Sequence, residues 1–65
     1  MKKIVVWHQI TIDFRGRKIK GSYATENDMV TVRTTLGSKG TQRGGSRPAI
    51  LARMMLRELA VEGKA

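Results

Sequence analysis

Ile10-Thr11-Ile12-Asp13-Phe14-Arg15-Gly16-Arg17-Lys18-Ile19-Lys20-Gly21-Ser22-Tyr23 is the stretch on which the fold turns. Apolar residues alternate with polar ones up to Phe14, stop at four polar or glycine residues, and resume at Ile19. A period of two with β-branched residues is the signature of a half-buried strand. Glycine at the first central position of a two-residue type II′ turn would pair Arg15 with Lys18. That register sets Phe14 opposite Ile19, Ile12 opposite Gly21 and Ile10 opposite Tyr23, so the apolar residues share one face. On the other face Asp13 meets Lys20, an opposite-charge neighbour that stabilises the pair modestly. A one-residue slip would set Phe14 against a lysine, so the hairpin specifies its own faces.

The same alternation runs backwards. Ile4, Val6 and His8 continue the inner face, while Val5, Trp7 and Gln9 continue the outer one, which predicts a first strand over residues 4–14. Forwards, Asn27-Asp28 suits a type I′ turn, because both residues tolerate left-handed geometry. Pairing Glu26 with Met29 then places Thr25 opposite Val30, Tyr23 opposite Val32 and Ile19 opposite Leu36. Strands over residues 18–26 and 29–36 complete a three-stranded antiparallel meander. Its expected inner face is Ile10, Ile12, Phe14, Ile19, Tyr23, Val30, Val32 and Leu36.

Residues 37–48 hold four glycines, three cations and no acid, and read as a basic, glycine-rich loop. Ser46 is the expected N-cap of a following helix, with Pro48 in its first turn, where a missing N–H does no harm. Residues 49–61 are strong helix formers and Gly63 is a suitable terminator, so the helix is expected over about residues 47–62. At 100° per residue, Leu51, Ala52, Met55, Leu56 and Leu59 form one apolar arc that should cover the sheet. The predicted fold class is therefore α+β, ordered β-β-β-α, in a single small domain.

Composition narrows the chemistry. The chain has 65 residues, no cysteine and a single histidine, His8, so disulfides, thiolate metal sites and multi-histidine metal sites are excluded. His8 itself reads as a satisfied, partly buried side chain on the inner face. Thirteen Lys/Arg against five Asp/Glu give a net charge of +8, which favours polyanionic partners. No apolar run reaches the ~20 residues of a membrane span, and the run after Met1-Lys2-Lys3 ends too early for a signal peptide. A cytoplasmic location is expected. The carboxylates are scattered and no nucleophile–base set can be assembled, so neither catalysis nor a cofactor is expected.

Two surfaces stand out. The outer sheet face would carry Trp7, Gln9, Thr11, Lys18, Lys20, Ser22, Thr31, Arg33 and Thr35, cations and hydrogen-bonding groups around one tryptophan. Such a face suits phosphates and base edges, or stacking on an unpaired base. Lys39, Arg43 and Arg47 of the loop would add phosphate contacts beside the backbone amides of Gly44, Gly45 and Ser46. The plain alternative is a solvated sheet face and a flexible connection. The second surface is a helix strip of Ile50, Met54 and Val61, flanked by Arg53 and Arg57 on one side and Glu58 on the other. It reads either as edge cover or as a homodimer or partner contact, in which a two-fold axis brings an arginine near Glu58 of the other copy.

The order strand–strand–strand–helix resembles the small domains of plant AP2-type factors and the arm-binding domains of tyrosine recombinases. Phe14-Arg15-Gly16 is similar to the Tyr-Arg-Gly of AP2 domains, whereas their later tryptophan-containing motif has no counterpart here. The resemblance implies a three-stranded sheet set into the major groove, with the helix behind it; no site residue is carried over from it. The sequence thus predicts a small, non-enzymatic nucleic-acid-binding protein, with DNA favoured over RNA. The competing expectation is a protein-interaction adaptor or homodimeric module built on the helix strip.

Overall fold

The computed structural model describes residues 5–65. Its elements are β1 (His8–Phe14), β2 (Arg17–Glu26), β3 (Met29–Arg33), β4 (Ser38–Gln42) and α1 (Pro48–Val61). The strands form one antiparallel sheet in the order β1-β2-β3-β4, and α1 packs on one face of it. The α+β architecture is the expected one, with four strands in place of three. Ile4, the predicted start of the first strand, lies outside the described residues, and β1 begins at His8.

The first hairpin keeps the predicted faces in a different register. Phe14 pairs with Arg17, Ile12 with Ile19 and Ile10 with Gly21, a shift of two residues from expectation. Arg15 (φ 52°) and Gly16 (φ 76°) both adopt left-handed geometry. The turn is therefore type I′ on Arg15-Gly16 rather than type II′ on Gly16-Arg17, and both types match the twist of the flanking strands. A two-residue shift preserves which face each side chain takes. Only the neighbours change: Asp13 now faces Lys18, and Thr11 faces Lys20.

The second hairpin has the predicted register, with Glu26 opposite Met29 and Tyr23 opposite Val32. Asn27 (φ 48°) and Asp28 (φ 65°) supply its type I′ turn. β3 ends at Arg33, however, so Leu36 never reaches Ile19. It stands 65% exposed in the connection to β4. That connection is tied by Thr34, whose Oγ1 accepts from the amides of Leu36 (3.2 Å) and Gly37 (3.0 Å) and donates to the carbonyl of Lys64 beyond the helix.

β4 replaces the first half of the expected loop. Val32 pairs with Lys39, Thr31 with Gly40 and Met29 with Gln42, so the ladder to β3 satisfies backbone groups that a loop would leave to water. Lys39 and Thr41 point to the helix side and are half-buried. The segment lacks the apolar alternation that marks the other strands, and its backbone pairing carries it.

The core lies between sheet and helix. Ile10, Ile19, Val30 and Val32 meet Ala52, Met55, Leu56 and Leu59, with Ile12, Phe14, Tyr23 and Leu51 partly buried around them. The helix arc is the predicted one. Each fully buried aliphatic chain here contributes about 1.5–3 kcal/mol. Gly21 lets the helix approach: a Cβ there would sit 2.9 Å from Leu56 Cδ1. The helix N-cap is Arg47, without a side-chain cap, rather than Ser46; Pro48 opens the first turn as expected. At the other end Gly63 (φ 76°) donates to Ala60 O (3.1 Å) and Lys64 to Leu59 O (2.7 Å), a Schellman ending.

The strands are staggered. β1 pairs with β2 as far as Tyr23, and β3 pairs with β2 only from Ser22 onward. All four strands therefore lie side by side only near Ser22 and Tyr23.

Candidate nucleic-acid interface

The stagger creates one polar row on the sheet face that α1 leaves open. Gln9 pairs with Ser22, Ser22 with Arg33, and Arg33 with Ser38, so these four residues cross β1, β2, β3 and β4 in line. Lys20 lies two residues from Ser22 on the same side of β2 and is exposed. Where β3 turns away and β2 runs on, the step between them opens a groove of about 520 Å³. Gln9, Lys20, Ser22, Arg33 and Thr35 line it. Lys20 and Arg33 thus project from one face, as the alternation predicted.

Trp7 precedes β1 and is 38% exposed. The Arg33 guanidinium lies 4.6 Å from the centroid of its ring. Beside them Ala24 is only 4% exposed, although it belongs to the face away from the helix and not to the core cluster. It forms the floor of a recess of about 300 Å³ walled by Val5, Trp7, Glu26, Thr31 and Arg33. Arg33 lines both concavities and stands between them. Lys18, the remaining outer-face cation among the described residues, faces Asp13 towards the tip of the first hairpin.

The loop cations do not join this constellation. Lys39 was expected among the phosphate contacts of a loop; it sits on β4, opposite Val32, on the helix side of the sheet. There its Nζ lies 2.8 Å from Glu62 Oε2 and 3.7 Å from Glu58 Oε2. Hydrogen bonding to Glu62 raises the ammonium pKa, and the same bond lowers the Glu62 carboxyl. Arg43 and Arg47 lie in the connection to α1, at the end of the sheet that holds the second turn, where the Arg43 amide bonds Asp28 O at 2.7 Å. Arg43 Nε folds back on Ser46 O at 3.0 Å. Gly44 (φ 57°) and Gly45 (φ 85°) turn the chain between them.

On the helix, Ile50, Met54 and Val61 are 52%, 58% and 64% exposed, pointing away from the sheet. Arg53 and Arg57 border Ile12 and Asp13, on the side of β1. Glu58 borders β4 through Lys39. His8 is exposed rather than partly buried, because it opens β1 at the edge of the sheet, and lies against Tyr23, ring centroids 5.2 Å apart. Among the described residues no cluster of three His, Cys, Asp or Glu could hold a metal ion. Nor, among the described residues, is any helix long and apolar enough to cross a membrane.

Sequence reasoning missed the recess. Its signal was Ala24, a small apolar residue on an otherwise polar outer row, where a ring can lie flat on the sheet. The chain matches no protein-family model, and no significant match is found among curated proteins or solved structures.

Proposed function

We propose that the chain is a small, non-enzymatic nucleic-acid-binding protein whose open sheet face meets the ligand, with DNA favoured over RNA. The observation that carries this reading is the shared placement of Lys20 and Arg33 around a polar groove with Gln9 and Ser22 on the same face. Two cations over a floor of amide and hydroxyl groups match the needs of a phosphate backbone flanked by hydrogen-bonding edges. The net charge of +8 draws a polyanion in from a distance, and Arg43 and Arg47 add to that field from the end of the sheet.

The test is a binding titration across salt. Affinity should fall steeply with ionic strength, and Lys20→Ala and Arg33→Ala should each flatten the log–log slope by roughly 0.7–0.9. Unchanged affinity at low salt in both variants would remove the sheet face from the reading.

A second reading rests on the exposure of Ile50, Met54 and Val61. An apolar strip with an arginine side and a glutamate side suits a second copy of the chain or a protein partner. Met54→Glu would then abolish association in light scattering while leaving nucleic-acid affinity intact.

A further inference from the structure

We infer that the ligand of the open sheet face is an unpaired strand, held by stacking one base in the Trp7 recess while its phosphate lies between Arg33 and Lys20. This deepens the nucleic-acid reading and rests on it. Two observations point the same way. The recess over Ala24 is walled by an indole and by a guanidinium stacked on that indole at 4.6 Å, both planar groups on which a base can lie. In a duplex the faces of each base are already covered by its neighbours, so only an unstacked base can use such a wall. Secondly, Arg33 joins the recess to the groove of Gln9, Lys20, Ser22 and Thr35, so an aromatic station and a cationic station lie in sequence along one path. The recess therefore suits a base, and the groove beside Lys20 suits its phosphate.

Trp7 is the only tryptophan of the chain, so its emission reports the recess directly. The full chain would be titrated at low salt with a labelled mixed-sequence DNA strand of about 12 nucleotides, within the usual site-size range. The RNA strand of the same sequence and the corresponding DNA duplex would be titrated alongside. The single strands should bind at least about tenfold more tightly than the duplex and quench Trp7 emission on saturation. Trp7→Ala should weaken single-strand binding by roughly 5- to 150-fold and leave duplex binding unchanged, while Trp7→Phe keeps most of the affinity. The DNA and RNA arms identify which sugar the face prefers, and tighter binding of either strand than of the duplex supports the inference.

Duplex binding as tight as single-strand binding would overturn the inference and leave the nucleic-acid reading standing. Single-strand binding without any change in Trp7 emission would do the same. Failure of all three probes to bind would overturn both. The emission change is measured on the wild-type chain, so it decides the matter even if Trp7→Ala fails to fold.

Discussion

Arg33 reaches across the open face of the sheet and rests its guanidinium 4.6 Å from the centroid of the Trp7 ring. The contact joins β3 to the segment that precedes β1, two parts of the chain with no strand pairing between them. An exposed pair of this kind is worth roughly 0.5–1 kcal/mol. Arg33→Ala should lower stability by about that much and shift Trp7 emission to longer wavelength as the ring meets water. Arg33→Lys keeps the charge but not the planar stack, and should fall between the two. Urea unfolding followed by tryptophan emission measures all three chains. Equal midpoints would mean that the contact adds nothing to the folded state.

Gly21 permits a close approach of sheet and helix. Its backbone is ordinary, so the constraint is one of space rather than of conformation. A Cβ would stand 2.9 Å from Leu56 Cδ1 and 3.2 Å from Arg33 O. Leu56 is fully buried and cannot swing aside without opening the core. Gly21→Ala should therefore destabilise the fold by roughly 1–3 kcal/mol, the usual cost of overpacking. Pairing it with Leu56→Val should recover part of that loss, because the shorter side chain vacates the contested position. Additive losses in the double variant, read from denaturant midpoints, would show that the contact is relieved elsewhere.

Some elements were readable from the sequence and others were not, according to what stabilises each. The helix arc of Ala52, Met55, Leu56 and Leu59 and the inner faces of β1, β2 and β3 are stabilised by apolar burial, and burial leaves a periodic trace. Register is different. Alternation is blind to a shift of two, so Ile12 was assigned to the correct face and the wrong partner; the deciding fact was Arg15 accepting left-handed geometry. β4 left no apolar trace at all, because Ser38, Gly40 and Gln42 face outward and only Lys39 and Thr41 turn in. Its backbone pairing with Met29–Arg33 defines it. The open face was correctly placed for the same reason as the core, since Lys20 and Arg33 occupy the polar half of the same alternation. The recess beside them depends on Arg33 spanning strands, which no local pattern encodes.

Thr34 links the β3–β4 connection to the end of the helix through one hydroxyl. It accepts from Leu36 and Gly37 and donates to the Lys64 carbonyl, thirty residues away along the chain. Thr34→Val keeps the shape and removes these bonds, and should cost about 1–2 kcal/mol, since only the Gly37 contact is part-buried and water can replace the exposed ones. Thr34→Ser keeps the hydroxyl and should lose much less. Amide exchange at Gly37 should quicken selectively in the valine variant. If Gly37 exchange stays at the wild-type rate, the hydroxyl is not what holds the turn.

Lys39 and Glu62 form the charged link between β4 and α1, and their titration gives a signed prediction. The hydrogen bond from Lys39 lowers the Glu62 pKa in the folded chain, so its contribution is present above the unfolded carboxyl value and disappears as pH falls through the folded one. The Lys39 pKa is raised, so its contribution is present below the unfolded ammonium value, near 10.5, and is lost as pH rises through the folded one. The pair is therefore fully formed from mildly acidic to mildly alkaline pH and opens at both extremes. Carboxyl titration by NMR should show Glu62 below the ordinary glutamate range, and Lys39→Gln should return it upward. Because the bond between their charged ends is solvent-exposed, the effect on overall stability should be small and should shrink further in salt. The same variant separates two roles for this lysine. Engaged with Glu62 on the helix side, Lys39 does not face the groove of Lys20 and Arg33, so Lys39→Gln should leave the salt slope of nucleic-acid binding unchanged. A flatter slope would place Lys39 in the interface and require the ligand to wrap around the β4 edge.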